Sequence, residues 1–147
     1  MFSSQDLGSL LHRGSHLTRQ RMDARLQRFG ATPVQAHIIL FLSCRADQTA
    51  TQRELERFLR VRPSTVNGLV DRLEEKGLLV RTVSSNDARS KVLRLTDAGR
   101  QQQKNLEAGI RETEQIMSSG FSEEELAQLR ALLGRVIENL EKDGVSC

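Results

Sequence analysis

The residues best suited to recognition chemistry share one predicted helix, which begins at Pro63 and ends at Gly77. One face of that helix is apolar and comprises Val66, Leu69, Val70 and Leu73. At about 100° per residue, the opposite face and its flanks comprise Ser64, Thr65, Asn67, Gly68, Asp71, Arg72 and Glu75. Asn67 can pair with adenine through both amide atoms, and the hydroxyls can contact bases or phosphates. This pattern is typical of a helix that enters a major groove, and an ordinary solvated helix face is the alternative.

A second polar cluster lies in the segment SSNDARSKVLRLT, which contains Asn86, Asp87, Arg89 and Lys91. The segments 78–83 and 91–95 on either side of this cluster predict two short strands. The seven residues between them, 84–90, are many for a minimal hairpin turn. We therefore expect a projecting loop, with a plain polar loop as the alternative.

The charge of the chain is unevenly distributed, although its net value is only +3. Residues 1–50 carry +3, residues 51–95 carry +4 and residues 96–147 carry −4. Near the predicted recognition helix, four arginines are available for phosphate contacts: Arg53, Arg57, Arg60 and Arg62. This asymmetry indicates a polyanionic partner on one side of the molecule, and a solvated surface of mixed charge is the alternative.

Both polar groups belong to an otherwise helical chain. Apolar residues at helical spacing predict a long amphipathic helix over 5–29 that ends near Gly30. Capping boxes predict the starts of three further helices, at Thr32, Thr51 and Ser122. We expect the helix at Thr32 to end near residue 44.

The helix that begins after Thr51 is short, and we expect Leu55, Phe58 and Leu59 on its buried side. With the helix at Pro63 it forms a helix-turn-helix pattern. A polar helical stretch to about Ser119 follows the hairpin and precedes the last helix. The sequence therefore predicts a mainly α fold with a small β-hairpin.

Several classes of protein are disfavoured by what the sequence lacks. It contains no run of about 18 apolar residues, and its N-terminus does not resemble a secretory signal, so we expect a cytoplasmic protein without a membrane span. The HExxH, P-loop and GxSxG motifs are missing, which argues against an enzyme. Binding of single strands needs stacking aromatics, whereas the chain has five Phe and no Trp or Tyr. We expect at least four of these Phe in or next to the core.

Metal and thiol chemistry have weak support. His12 and His16 are four residues apart and could share a metal with His37, although a plain helix surface or interface explains that spacing better. Cys44 and Cys147 are too few for a disulfide framework. A small hydrophobe is the favoured interpretation of Cys44, and a redox sensor is the alternative. We expect no cofactor and no metal.

Three segments together resemble the MarR (multiple antibiotic resistance regulator) family of winged helix-turn-helix transcription factors. They are Thr32-Pro33-x-Gln35, TQRELERFLRVRPSTVNGLVDRLEEKGLLVR (51–81) and NDARSKVLRLTDAG (86–99), and their order and spacing match over nearly the whole chain. The resemblance implies a DNA-binding region over 32–99 within a single chain of 1–147, with dimerisation helices in 1–31 and 100–147. It also implies a homodimer, a pseudo-palindromic double-stranded operator and a small aromatic or phenolic effector.

The resemblance also implies roles for individual residues. In the recognition helix, the DNA-binding positions are Arg62, Ser64, Thr65, Asn67, Gly68 and Arg72. In the wing they are Arg81, Asp87, Arg89 and Lys91, with Asp87 holding the wing and Arg89 entering the minor groove. Gly68 departs from family members that carry Arg there.

Two hypotheses follow from the sequence. The first is a dimeric regulator, most often a repressor in such families, whose affinity for DNA falls when an effector binds. The second is a winged-helix module that uses its basic face to bind an acidic partner protein. Strong salt dependence and preference for a palindromic site would distinguish the first from the second.

Overall fold

The computed structural model describes residues 5–143 of the chain. Contacts divide the chain into two compact units, residues 1–113 and residues 114–147. The elements, in chain order, are α1 (Leu7–Arg28), α2 (Pro33–Ser43), β1 (Thr49–Thr51), α3 (Gln52–Leu59), α4 (Pro63–Glu75), β2 (Leu79–Val83), β3 (Lys91–Leu95), α5 (Asp97–Ser118) and α6 (Glu123–Lys142). The predicted mainly α fold with a hairpin is confirmed.

The three predicted capping boxes are present. The side chains of Thr32, Thr51 and Ser122 each accept a hydrogen bond from the backbone N–H three residues on. The Gln or Glu at that position accepts, through its side-chain oxygen, from the backbone N–H of the cap residue. Each such cap stabilises its helix by about 1 kcal/mol. Gly77, at φ +69°, takes the left-handed conformation that lets the chain leave α4 and enter β2.

The sheet has one strand more than the sequence predicted. Its order is β1-β3-β2, with both pairs antiparallel. In β1, Ala50 is buried and lies opposite Leu93 of β3. Three residues are too few to show a period-2 pattern, and Thr51 also caps α3. The local sequence around Thr51 therefore predicts the start of a helix and does not predict a strand.

The core of the first unit joins α2, α3, α4 and the sheet. Its largest fully buried side chains are Ile38, Ile39, Leu42, Leu55, Val66, Val70, Leu73, Leu79, Leu93 and Leu95. Leu69 packs against this cluster but is only partly buried. The predicted apolar stripe of α4 thus faces the core, which leaves the opposite face of the helix to solvent.

The expectation that at least four phenylalanines lie in or next to the core holds for Phe41, which packs against the core, and is otherwise wrong. Phe58 was expected on the buried side of α3, yet it is 49% exposed and stacks on Phe41 with 4.4 Å between ring centroids. Phe29 and Phe121 are exposed as well, and Phe2 lies outside the described residues. Aliphatic residues fill the core, and α3 is short enough that Leu55 alone is buried there.

Two cationic side chains, Lys76 and Arg25, connect the helices around this core. The Lys76 ammonium, directly after α4, donates to the Gly30 carbonyl at 2.9 Å and to Gln35 Oε1 at 3.0 Å. Arg25 of α1 is buried and donates through Nε to Glu112 of α5 at 3.1 Å. The end of α4 and the start of α2 are therefore held together, and α1 is held to α5.

Apolar side chains on α1 and α6 remain uncovered. On α1 the exposed residues are Leu7, Leu10, Leu11 and Leu17; on α6 they are Leu129, Leu132, Leu133, Ile137 and Leu140. Not one described residue of α6 is buried. The helices among residues 5–143 are all too short or too polar to cross a membrane.

The junction between α4, the hairpin and α5 is tightly packed. Thr96 donates through its hydroxyl to the Gly77 carbonyl at 2.6 Å and through its backbone N–H to the Leu78 carbonyl at 3.1 Å. Gly99 lies against the same backbone, where a Cβ would come within 1.9 Å of the Leu78 carbonyl oxygen. The first turn of α5 therefore has no room for a side chain at this position.

We predict that Gly99→Ala lowers the free energy of unfolding by about 1–3 kcal/mol, because a backbone atom must move to admit the methyl group. Gly68→Ala is the matched control, since a Cβ there meets nothing within 4 Å. It should raise stability by about 0.5–1 kcal/mol through helix propensity. Urea unfolding at one protein concentration measures both, and equal effects of the two substitutions would contradict the packing argument.

Candidate nucleic-acid interface

The solvent-facing side of α4 is open at its N-terminal end. Ser64, Thr65 and Gly68 are exposed, and Asn67 is half-buried. Arg62, the N-cap residue, makes no side-chain hydrogen bond to the cap. Pro63 has no N–H, and the Thr65 N–H donates to the Arg62 carbonyl at 3.0 Å. The Ser64 N–H is therefore the group of this turn that can attract a phosphate oxygen.

The wing is the loop 84–90 between β2 and β3, and short-range hydrogen bonds shape it. Ser84 N–H donates to the Ser90 carbonyl at 2.8 Å, and Ser90 N–H donates to the Asp87 carbonyl at 2.9 Å. The Asp87 carboxylate accepts from the Arg89 N–H at 2.9 Å. Arg89 is exposed and forms no ion pair with any residue in 5–143. Asp87 thus fixes the backbone of Arg89 and leaves the guanidinium to solvent.

The start of α3, the middle of α4 and the wing face one concavity of about 650 Å³. Three cations line it, Arg53, Arg89 and Lys91, against two carboxylates, those of Glu56 and Asp87. Asn67 also lines it. Residues that are more than twenty positions apart in the sequence thus share one polar surface with a net positive charge.

Arg81 is placed differently from the sequence-based expectation. Its guanidinium donates to Asp71 and Glu74 of α4, the latter at 3.1 Å, and its side chain is only 13% exposed. Burial disfavours its charged form, but these hydrogen bonds outweigh that effect and raise the pKa of Arg81. Arg81 is therefore an internal tie between β2 and α4, and its assignment as a DNA-binding residue of the wing stays a prediction. Asp71 is occupied by the same tie.

The other basic residues near α4 remain available. Arg53, Arg57, Arg60, Arg62 and Arg72 are all exposed, and none of them is ion-paired within the described part of the chain. Arg60 takes the left-handed conformation at φ 54° and ends α3. Arg53 lines the concavity, and all five cations can bind phosphates without regard to base sequence.

One contact within this surface could not be predicted from the sequence. Gln52, the first residue of α3, donates through Nε2 to Asn67 Oδ1 at 2.6 Å. The two residues are 15 positions apart, and no periodic or capping signal connects them. Gln52 therefore belongs to the site, although only the three-dimensional arrangement identifies it.

A capping contact holds α3 where it presents Gln52 and Arg53. The Glu54 carboxylate accepts from the Thr51 N–H at 2.7 Å and also pairs with Arg45. The backbone hydrogen bond from Thr51 is the largest cause of a lowered pKa for Glu54; burial opposes the shift, and the Thr51 hydroxyl and Arg45 add to it. The carboxylate is thus stabilised in its charged form.

A separate apolar cavity of about 560 Å³ lies among α1, α2 and α5. Its apolar lining includes Met22, Leu26, Ala36, Leu40, Leu106 and Ile110. Arg19, Asp23 and His37 supply polar groups at its wall. No cluster of three or more metal-ligating residues occurs among residues 5–143. Cys44 is exposed, and Cys147 lies outside the described residues.

A helix-turn-helix whose second helix exposes its polar face, beside a β-hairpin loop, defines a winged helix-turn-helix protein. The sequence model of the MarR family matches residues 29–90. MepR of Staphylococcus aureus, a transcription regulator of the multidrug efflux pump MepA, is 30% identical, with a TM-score of 0.82 over 92% of this chain and 98% of that one. This chain belongs to the MarR family.

Two further structures are similar. A complex of S. aureus MepR with DNA is 29% identical and has a TM-score of 0.74, covering 95% of this chain and 99% of that one. MarR of E. coli in its apo form is 24% identical and has a TM-score of 0.75, covering 92% of this chain and 98% of that one. The E. coli structure supports the fold alone.

We predict that Glu54→Gln makes stability less dependent on pH in acid. A depressed carboxyl pKa contributes stability above the ordinary value of 4.5, and this is lost as the pH falls through the lowered pKa. The variant should be less stable by about 1 kcal/mol at pH 7 and show a shallower loss below about pH 4.5. Chemical unfolding from pH 3 to 7 measures this, and parallel curves for the two proteins would contradict it.

Glu75→Gln is the control for loss of charge alone. Glu75 is exposed and has no ion pair within residues 5–143. At pH 7 this substitution should change stability by less than about 0.5 kcal/mol.

Proposed function

We propose that this chain is a transcriptional regulator that binds double-stranded DNA with sequence specificity, acting in the cytoplasm as a homodimer. The observation that carries the proposal is the concavity in which Asn67 of α4 and Arg89 of the wing face the same side. The similarity to MepR, which has been solved with DNA, supports it. The region 32–99 would be the DNA-binding part.

Base recognition is assigned to the exposed face of α4. Ser64, Thr65 and Asn67 carry short polar side chains on the face opposite the buried stripe, where they can reach base edges. Gly68 offers no side chain, so the groove can approach the helix closely at this point. Arg62 and Arg72, at the two ends of this face, are assigned to phosphates.

Arg89 is assigned to the minor groove. The negative potential of that narrow groove favours a guanidinium. The guanidinium of Arg89 lies at the exposed wing tip and is not paired with a carboxylate among the described residues. Lys91, at the base of the wing, is assigned to a phosphate. Arg81 is left out, because its guanidinium is already bound by α4.

A second copy of the chain is proposed to cover the apolar faces of α1 and α6. Clusters of exposed Leu and Ile at helical spacing are unfavourable in water and are typical of helices that pack on another subunit. Two winged regions related by a two-fold axis would then match a pseudo-palindromic operator. The segments 1–31 and 100–147 are assigned to this dimerisation.

The apolar cavity among α1, α2 and α5 is proposed to bind the effector. Its apolar lining suits an aromatic ring, and Arg19 at its wall suits a carboxylate or phenolate. Because α2 contributes to this cavity and also packs in the core beneath the sheet, a ligand there can favour one arrangement of the winged region. We propose that the effector lowers DNA affinity and that the protein acts as a repressor.

We predict that Arg89→Ala weakens specific DNA binding by about 1–3 kcal/mol and leaves the dimer intact. Lys91→Ala should instead weaken binding about equally on all sequences, because phosphates carry no sequence information. Arg111→Ala removes the same charge from the exposed surface of α5 and should have little effect. Gel shifts on the DNA beside the chain's own coding sequence, together with sedimentation, measure these effects.

The same gel shifts separate the two classes of function. A wild-type protein without sequence preference at moderate salt would overturn the regulator and favour a winged-helix module that binds an acidic protein. Dissociation of the Arg89→Ala dimer would show that the wing has been assigned to the wrong segment.

We predict that a hydroxybenzoic acid raises the melting temperature of the wild-type protein, since a ligand of the folded state stabilises it by mass action. Arg19→Ala should abolish this shift, whereas Arg13→Ala, on an exposed part of α1 outside the cavity, should preserve it. The same ligand should weaken operator binding in the gel shift. A thermal shift that survives Arg19→Ala would contradict the placement of the carboxylate.

A further inference from the structure

The hydrogen bond between Gln52 and Asn67 limits what Asn67 can offer to DNA. Gln52 Nε2 donates to Asn67 Oδ1 at 2.6 Å, and both side chains line the concavity between α3, α4 and the wing. The inference that follows rests on the proposed function, because it concerns how Asn67 recognises a base.

The position of Gln52 is fixed by its own helix. It follows directly after the Thr51 cap, and Leu55 on the next turn is completely buried in the core. The amide itself is confined as well, because its Oε1 atom is buried. The backbone of α4 is held equally well by Val66 and Val70, which are both fully buried.

The other half of the Gln52 amide has no partner in the described part of the chain. Its Oε1 atom is buried and has no hydrogen-bond partner among the described residues. In the reversed arrangement Asn67 would donate to Oε1, and Nε2 would become the buried atom without a partner. Each arrangement satisfies one amide atom of Gln52, and the structure has the one in which Gln52 is the donor.

We propose that Gln52 is a positioning residue that presents Asn67 to the major groove as a hydrogen-bond donor. With Oδ1 turned to Gln52, the Nδ2 amino group is the end of the Asn67 amide directed away from it. A donor recognises bases that carry acceptors in the major groove, which are guanine, adenine through N7, and thymine through O4. Cytosine presents only an amino group there and is disfavoured.

This assignment changes the expectation drawn from the sequence. An unrestrained asparagine favours adenine because it can use both amide atoms at once. With one of the two lone pairs of Oδ1 already taken by Gln52, the acceptor half of that two-bond pairing is weakened. Guanine, which has two acceptors on its major-groove edge, becomes the preferred base.

The test compares wild type, Gln52→Ala and Gln52→Glu on a set of operators that carry each base at every half-site position. Wild type should disfavour cytosine at one position by about 10-fold, the size of a good base contact. Gln52→Ala should reduce that discrimination to about 2-fold at this position and leave the others unchanged, because Asn67 is then free to turn.

Gln52→Glu gives the sharper result. A carboxylate can only accept, so Asn67 must donate Nδ2 to it and present Oδ1 to the groove. Preference at the same position should move to bases with a major-groove amino group, cytosine and adenine. The added negative charge should weaken binding on every sequence alike, which separates the charge effect from the change of preference.

Two controls test whether Gln52 acts on base preference through Asn67. In an Asn67→Ala background, Gln52→Ala should cause no further change at this position, since a positioning residue acts only through its partner. Arg53→Ala, at the neighbouring residue of α3, should weaken binding uniformly and change no base preference. Thermal unfolding of each variant, with a midpoint near that of wild type, excludes loss of the fold as the cause.

The outcomes distinguish this inference from the function on which it rests. If the wild type discriminates among operators but Gln52→Ala has the same profile, or Gln52→Glu retains the wild-type preference, the role of Gln52 is overturned and the regulator stands. An Asn67→Ala profile equal to wild type also overturns it. If wild type shows no discrimination at all, the proposed function fails and the inference falls with it.

Discussion

Burial of one side of α4 is the constraint on which the rest of the interface depends. Val66, Val70 and Leu73 are fully buried in a core shared with α2, α3 and the sheet. Burying three such side chains is worth several kcal/mol, about 1.5–3 kcal/mol each. Because the helix cannot rotate without exposing them, its opposite face is directed to solvent over its whole length. The residues of α4 that a partner can reach are therefore those that the core does not bury.

The wing is set relative to this helix by contacts at its base. Arg81 of β2 is held by two carboxylates of α4, and Thr96 at the end of β3 is bonded to the turn that follows α4. Gly99 lets α5 begin directly against that turn. The hairpin is therefore fixed to the recognition helix at its base, and its tip lies on the same concave surface as Asn67.

The sequence predicted those features that depend on neighbours along the chain. Capping boxes at Thr32, Thr51 and Ser122 mark helix starts because both partners lie within one turn. It failed where the partner is distant: β1 is defined only by pairing with β3, and Phe58 is exposed because aliphatic residues occupy the core. The positive charge of Arg81 suggests a phosphate ligand, but in the structure its surroundings make it an internal tie between β2 and α4. Likewise, nothing in the local sequence joins Gln52 to Asn67 across 15 positions.

The local hydrogen bonds of the wing also have an entropic consequence. The loop 84–90 is closed by bonds among its own residues, and the Asp87 carboxylate holds the backbone at Arg89. Ordering a flexible backbone costs about 1–2 kcal/mol for each residue. That cost has been met during folding, so an arginine at this tip has only its side-chain rotamers left to restrict on contact. A short loop with one cation can therefore contribute to affinity where a longer and more basic flexible arm would lose much of its electrostatic gain to ordering.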